Sequence, residues 1–199
     1  MGKKSGPNKL NLLKTRNVFL DIGREEFVKN GYSGTSTNVI VDRADMARGS
    51  LYYHFGDKQG LFKAVFEDLL QKTDRVIQLE MQKYSDPLDK LKAGAKLFLK
   101  LCTDNDFRKI ALIEGISTIP YNERIEIVEQ NLIGSLKSII QECRENNYFS
   151  HYHEHILMFF LYGLLSETGR SFERVDDPEM LYKLACNSLD KLLDQISTP

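Results

Sequence analysis

The sequence lacks any apolar stretch of the roughly 18 residues that a transmembrane helix requires. It also begins without the apolar block and cleavage site of a secretory signal. Cysteine is scarce, with Cys102, Cys143 and Cys186 widely spaced and odd in number. They fit neither a disulfide framework nor a CxxC metal site. These absences favour a reducing compartment, and we expect a cytoplasmic protein.

No segment shows the alternation of apolar and polar residues that is typical of a half-buried strand. Helical spacing continues through nearly the whole chain, and Asp86-Pro87 and Asp177-Pro178 are good helix starts. Asp caps the first turn and Pro fits within it. The sequence therefore predicts an all-α protein of about nine helices. Their expected ranges are 11–29, a short helix capped by Thr35, and then 47–55, 58–80, 87–102, 105–117, 122–146, 152–171 and 178–196.

Charge is unevenly distributed along the chain. The formal net charge is −1, but residues 1–60 hold ten Lys or Arg against six Asp or Glu, which is +4 and leaves −5 for residues 61–199. Residues 1–10 read as a basic arm. A basic end on an otherwise acidic chain favours a polyanionic partner for that end alone.

The first three predicted helices form a recognisable arrangement. The first carries one apolar stripe that includes Phe19, Gly23 and Phe27. Gly23 costs about 1 kcal/mol against alanine, which makes sense if another helix approaches closely there. Two short helices joined by three residues and supported by a longer one are a helix-turn-helix arrangement.

The third helix, within "ARGSLYYHFGDKQ", separates into two arcs at 100° per residue. The inward arc holds Ala47, Leu51 and Phe55. The outward arc holds Gly49, Ser50 and Tyr53, with Arg48 and Tyr52 beside them. Small residues let the backbone approach a base edge, while Arg and the hydroxyls bind bases or phosphate. Donors from His54 and from Lys58, in the first turn of the next helix, extend this surface.

Residues 31–65, "GYSGTSTNVIVDRADMARGSLYYHFGDKQGLFKAV", resemble the tetracycline-repressor (TetR/AcrR) family of bacterial transcription regulators. The resemblance implies a helix-turn-helix DNA-binding domain at 1–57 and an effector-binding and dimerisation domain at 58–199. It places Thr35, Thr37 and Lys58 near phosphate. It assigns the recognition helix to Arg48, Gly49, Ser50, Tyr52, Tyr53 and His54. The family usually has Gly-Val-Ser where this chain has Asp45-Met46-Ala47, so the third helix lacks a serine cap unless Asp45 replaces it.

The run "ILMFFLYGLL", residues 156–165, is apolar nearly all round. Such a helix is buried on two sides, and a second copy of the chain is the simplest partner for the outer one. A central core helix with no partner is the alternative. The last helix has a similar stripe that includes Ala185 and Ile196. The expected dimer interface comprises Ile156, Phe160, Gly163, Leu164, Leu181, Leu184, Ser188, Leu189 and Leu192.

The resemblance further implies a pocket for a small effector among the middle helices. The candidate lining residues are Phe66, Leu70, Phe98, Cys102, Phe107, Leu112, Tyr121, Phe159 and Tyr162. Plain core packing is the alternative for each of them. Because these side chains carry few charges, we expect a largely apolar effector, aromatic or lipid-like.

The expected function is a sequence-specific DNA-binding regulator, a repressor that a small molecule releases from its operator, with no cofactor. The rival interpretation is a metal-binding protein or metal sensor that uses His151, His153 and His155, since i and i+4 histidines on a helix face one metal. A helical protein-interaction module is a further alternative. No GxSxG motif or activated cysteine indicates an enzyme.

Overall fold

The computed structural model describes residues 9–197, and this part of the chain is all-α, as predicted, with nine helices and no strand. The bounds are α1 Lys9–Gly34, α2 Thr37–Ala44, α3 Arg48–Phe55, α4 Lys58–Met81, α5 Pro87–Leu101, α8 Glu154–Ser171 and α9 Pro178–Ser197. α6 comprises Asn105–Arg108, a π-helical Lys109–Glu114 and Gly115–Thr118. α7 comprises Tyr121–Val128, a π-helical Glu129–Ile133 and Gly134–Glu145. The predicted basic arm lies almost wholly outside the described residues.

The chain forms two compact units, Met1–Phe66 and Glu67–Pro199. The division falls within α4, so this helix contributes residues to both units. A functional boundary at 57/58 stays a prediction. None of the helices within residues 9–197 combines the length and apolarity that crossing a bilayer demands.

The first unit packs α2, α3 and the start of α4 against one face of α1. Phe19 and Phe27 of α1, Leu51 of α3 and Phe62 of α4 are fully buried. The Phe27 and Phe62 rings meet edge to face with centroids 5.0 Å apart, a preferred geometry for aromatic pairs. A Cβ at Gly23 would lie 3.3 Å from Leu61 Cδ2. The expected close approach of another helix at Gly23 is therefore confirmed.

A buried carboxylate ties α2 to α1. Glu26 is only 6% exposed and receives hydrogen bonds from Arg43 Nη1 at 2.7 Å and Asn30 Nδ2 at 2.9 Å. A second carboxylate, on Glu25, pairs with the other guanidinium nitrogen of Arg43. The hydrogen bond to Glu25, and after it the one to Glu26, raises the pKa of Arg43. Because a buried carboxylate without partners is costly, the contact fixes α2 in one position.

The start of α2 differs from the sequence prediction. Ser36, not Thr35, is the N-cap, and its hydroxyl accepts a hydrogen bond from the Asn38 amide at 3.3 Å. Thr35 is buried instead, with its Oγ1 2.7 Å from Gly31 O and 3.0 Å from Glu26 O. At Gly31 φ is 69° and α1 is kinked, a conformation that glycine adopts readily. The kink brings α1 carbonyls within reach of Thr35.

The second unit is built around α5, whose apolar face packs against α7, α8 and α9. Asp86 caps α5 by accepting hydrogen bonds from the amides of Leu88 at 2.9 Å and Asp89 at 3.1 Å. Asp177 does the same for α9 through the Met180 amide at 2.9 Å. Both predicted Asp-Pro helix starts are therefore confirmed.

We expect Gly60→Ala to lower the free energy of unfolding by about 1–3 kcal/mol, the usual cost of overpacking. A Cβ at Gly60 would lie 1.9 Å from Phe55 O, a backbone atom that can move only with the end of α3. The measurement is urea unfolding followed by circular dichroism. Gly34→Ala is the matched control, because its Cβ would make an ordinary contact at 3.5 Å. Equal midpoints for the two variants would contradict this reading of the α3–α4 junction.

Candidate functional sites

α3 presents one side to solvent and one to the first unit. Tyr53 is 72% exposed and Tyr52 38%, while Leu51 is fully buried. Phe55 is half-buried and meets Phe19 edge to face at 6.2 Å. Ala47, predicted to face inward, is exposed because it is the N-cap residue and precedes the first helical turn. We call the outward set Arg48, Gly49, Ser50, Tyr52 and Tyr53 the α3 surface.

Arg48 is held along this surface. Its Nη2 donates to the Tyr52 hydroxyl at 3.1 Å, and its guanidinium carbon lies 5.4 Å from the Tyr52 ring centroid. The hydrogen bond from Arg48, followed by one with Thr37, lowers the Tyr52 pKa. Thr37 belongs to the first turn of α2, so the Tyr52 hydroxyl lies near the start of that helix. A guanidinium positioned beforehand loses less rotamer freedom when it binds a base or phosphate.

Gly49 leaves space at the centre of the α3 surface. A Cβ placed there would meet no atom within 4 Å. The packing of residues 9–197 therefore does not require glycine at this position. A recognition helix that must bring its backbone close to base edges does benefit from one.

The concave side of the α3 surface continues onto the start of α1. A groove of about 290 Å³ is lined by Ser50, Tyr53 and His54 of α3 and by Asn11, Leu12 and Thr15 of α1. Sequence reasoning missed the α1 residues. A polar face on α1 beside the basic arm was the one signal that could have indicated them.

Lys58 has contacts within the first unit. Its ammonium donates to Tyr32 O at 2.9 Å and Thr35 O at 3.0 Å, and lies 4.5 Å from the Tyr32 ring centroid. Two of its three N–H donors are therefore engaged in tying α4 to the end of α1. A phosphate contact by Lys58 stays a prediction. The hydroxyl of Thr35, by contrast, is buried and bonded, and is not accessible to DNA in this conformation.

The turn between α2 and α3 departs from expectation. Asp45 adopts a left-handed conformation, with φ 51° and ψ 47°, and its amide donates to Asp42 O at 3.2 Å. Asp45 thus ends α2 and does not cap α3, which has no side-chain cap. Its carboxylate is exposed beside the α3 surface.

The second unit contains a cavity of about 60 Å³ between α4, α5, α7 and α8. Phe98 and Tyr162 line it, as predicted, together with Asp74, Ile77 and Met81 of α4. This volume is well below the roughly 300–1,000 Å³ of ordinary ligand sites. The cavity must therefore enlarge before it holds a molecule of appreciable size.

The other predicted pocket residues do not line this cavity. Five are buried: Phe66, Leu70, Cys102, Phe107 and Leu112. Burial raises the pKa of the Cys102 thiol to about 12, which makes it a poor nucleophile. Tyr121 is 68% exposed at the start of α7, and Phe159 is half-buried against His155 with ring centroids 4.8 Å apart.

An apolar stripe on α8 and α9 faces solvent. Phe160 is 68% exposed, Leu184 52% and Ile156 48%, and a Cβ at Gly163 would meet nothing within 4 Å. The inner residues of α8 are buried within the second unit, while burial of its outer face by a second copy of the chain stays a prediction. We call the exposed set Ile156, Phe160, Gly163, Leu164, Leu184, Ser188 and Leu192 the α8–α9 stripe.

Two residues predicted for the dimer interface are not part of the exposed α8–α9 stripe. Leu189 is only 3% exposed because it faces the interior of its own unit. Leu181 is half-buried. The outward stripe of α9 is therefore narrower than the apolar spacing indicated.

The histidine cluster does not form a metal site in the described residues. α8 begins at Glu154, so His151 and His153 precede the helix and the i, i+4 relation fails. Within residues 9–197 no group of three or more His, Cys, Asp or Glu side chains is arranged to hold a metal ion. The metal-sensor interpretation therefore has no support in this part of the chain.

Comparison with known proteins agrees with this geometry. Residues 19–65 match the family described as bacterial regulatory proteins, tetR family, and residues 88–196 match the tetracyclin repressor-like C-terminal domain. The chain is 40% identical over 50 residues to the HTH-type transcriptional regulator QacR of Staphylococcus aureus, covering 25% of this chain and 27% of QacR. It is 24% identical over 153 residues to the transposon Tn10 TetC protein of Escherichia coli, covering 77% of each. The first of these matches spans little more than a quarter of its relative's length.

Solved structures show the same fold. A TetR-family transcriptional regulator from Pectobacterium atrosepticum superposes with a TM-score of 0.80 at 21% identity, over 97% of this chain and 99% of that one. The regulator FadR from Bacillus subtilis, in complex with stearoyl-CoA, superposes with a TM-score of 0.75 at 18% identity, over 90% and 98%. The two family matches together cover most of the chain, so this protein belongs to the TetR family of helix-turn-helix transcription regulators and is not an enzyme.

Proposed function

We propose that the protein is a cytoplasmic homodimeric repressor that binds an operator through the α3 surface and leaves it when a small molecule enters the second unit. The observation that carries this proposal is the α3 surface itself. Gly49, Arg48 and Tyr53 face solvent around a buried Leu51, and within residues 9–197 nothing packs against the open side of Gly49.

Each group on the α3 surface suits a contact with a particular part of a DNA duplex. The fork of Arg48 suits the paired acceptors of guanine or a phosphate. The Tyr53 hydroxyl suits a phosphate oxygen, and Gly49 allows the helix to approach the groove floor. The exposed carboxylate of Asp45 repels phosphate, so we expect the turn to stay clear of the backbone.

Dimerisation supplies the second recognition helix. The α8–α9 stripe is an exposed apolar surface of the kind that marks a protein interface. Four helices paired across a two-fold axis form an isologous interface. Two α3 helices would then reach half-sites about 34 Å apart, or a multiple of that distance, on one duplex.

The small cavity suits a regulated site. An effector that weakens operator binding 100-fold must favour the non-binding conformation by about 2.8 kcal/mol. A ligand gains such a preference when it fits an enlarged cavity and not the closed one of about 60 Å³. Since α4 carries both Lys58 and the cavity-lining Asp74, it is the element through which we expect the two sites to be coupled.

Binding to DNA from the region upstream of the protein's own gene tests the proposal directly. We expect a retarded complex in a gel shift, with an affinity that falls steeply with salt. Tyr53→Phe should weaken binding about 10- to 100-fold, the value of one hydrogen bond to a charged group such as phosphate. The control is Tyr84→Phe, which removes a hydroxyl from an exposed tyrosine in the second unit. Equal effects of the two changes would count against the α3 surface.

Gly49→Ala should separate stability from recognition. Alanine at an unobstructed helix position should raise the free energy of unfolding by up to about 1 kcal/mol. The added methyl group stands where the groove floor would be, so we expect operator affinity to fall at least tenfold. Urea unfolding and fluorescence anisotropy with labelled DNA give the two quantities. Gly34→Ala is the control, and unchanged affinity in Gly49→Ala would contradict the assignment of Gly49.

Phe160→Glu should dissociate the dimer. A central aromatic residue contributes roughly 2 kcal/mol or more, and an isologous interface loses it twice. We expect dimer affinity to fall at least about 100-fold in sedimentation experiments. Ile116→Glu is the control, because Ile116 is 42% exposed on α6, outside the α8–α9 stripe. A dimer unaffected by Phe160→Glu would place the interface elsewhere.

A further inference from the structure

The cavity of the second unit contains one carboxylate atom without a partner. Asp74 lines the cavity, and its Oδ1 is buried with no hydrogen bond. The other oxygen, Oδ2, accepts a hydrogen bond from Gln78 Nε2 at 2.6 Å. A buried acceptor left unsatisfied costs roughly 1–3 kcal/mol, and more when it is charged. Such an atom is an exception that calls for an explanation.

The remaining cavity wall offers Asp74 nothing positive. The wall is mostly aliphatic and aromatic, with Ile77, Leu91 and Phe98 among its members. Apart from Asp74, its polar side chains are those of Ser135 and Tyr162. None of the described Lys or Arg residues lines it. A molecule that brings its own hydrogen-bond donor or positive charge would satisfy Oδ1 and would also bury its apolar part.

A larger groove, open to solvent, lies next to the small cavity. It measures about 470 Å³ and shares Met81 and Ser135 with the first cavity. Gln78 connects α4 to α7 at this point, because its Nε2 also donates to Ser135 Oγ at 2.7 Å. Met81 is flexible by nature and packs against Gly94, where a Cβ would lie 3.0 Å from its Sδ.

The bridge and Met81 therefore separate two spaces that together exceed 500 Å³. That volume falls within the range of ordinary ligand sites. Breaking one exposed hydrogen bond and changing one methionine rotamer are small costs. Freed from Ser135, Gln78 could also turn a donor toward an entering molecule.

We propose that the effector is an apolar molecule with a single cationic or hydrogen-bond-donating end, an alkylammonium in its simplest form, which enters between α4 and α7 and binds Asp74 Oδ1. This inference rests on the proposed effector role of the cavity. It narrows the ligand class, because a carboxylate at the same end would meet a like charge in a low dielectric. Fatty acids are thereby disfavoured.

The test uses three probes with one chain length and different ends: n-decylamine, n-decanol and n-decanoate. Isothermal titration calorimetry measures their binding to the full chain below their micelle concentrations. We expect n-decylamine, as its ammonium, to bind at least tenfold tighter than n-decanoate. Asp74→Asn should abolish this preference while n-decanol affinity changes less than threefold. Asp68→Asn is the matched control, because Asp68 lies on the same helix and pairs with Lys72 at 2.7 Å, away from the cavity.

Two results would overturn the proposal: n-decanoate binding as tightly as the amine, or an ammonium preference that survives in Asp74→Asn. Thermal unfolding of the free proteins gives an independent check. Asp74→Asn should raise the midpoint relative to Asp68→Asn, because it replaces a carboxylate that has one oxygen buried without a hydrogen bond. A lower midpoint would mean that Asp74 is already satisfied and would also count against the proposal.

Operator release is measured separately by anisotropy with labelled DNA. If n-decylamine binds through Asp74 and yet leaves the DNA complex intact, the ligand site stands and its role as an effector site fails. If the protein binds no operator at all, the proposed function fails, and the calorimetry still decides the ligand class.

Discussion

The burial of Leu51 in the first unit is the constraint on which the proposed DNA recognition through α3 depends. α3 has eight residues, and a helix of that length is marginal in water without tertiary support. It has no side-chain cap either. The face that holds α3 in the first unit is thus narrow, and everything outside it is free to face solvent. That division of one short helix makes the α3 surface available.

The polar contacts of the first unit also hold α3 in its position. Glu26 with Arg43 fixes α2, and the Tyr52 hydroxyl holds Arg48 along α3. Lys58 ties the start of α4 to carbonyls at the end of α1. These contacts reduce the number of positions that α3 can take relative to α1. A reading helix positioned in advance gives up less entropy when it binds.

In the part of the chain that the structure describes, the second unit, in contrast to the first, contains internal space and buried polar atoms without a partner. It has a small cavity, an unsatisfied carboxylate oxygen and two π-helical segments, of which Glu129–Ile133 contributes Ile133 to the cavity wall. π-Helical turns are rare and often occur at functional sites. Strained or unsatisfied features persist where the surrounding packing holds them. These features lie in the part of the second unit where we propose that a ligand binds.

Prediction from sequence succeeded where a short-range pattern has one physical outcome. Asp before Pro at residues 86 and 177 started helices, and the spacing around Leu51 separated the faces of α3. Prediction failed where two side chains could each occupy the same structural position. Ser36 and not Thr35 capped α2, and Leu189 turned inward although its spacing matched the outer stripe. Tyr121, a pocket candidate implied by the family resemblance, lies on the surface.

The sequence by itself determined the helical architecture, the faces of α3 and the family, since these depend on periodicity and on residue order over a few turns. Only the tertiary structure decided which apolar residues line the cavity, that Asp74 Oδ1 lacks a partner, and that His151 precedes a helix. The physical reason is that cavities and unmet hydrogen bonds arise between elements distant in the chain. Their presence depends on how whole helices pack, which local spacing does not encode.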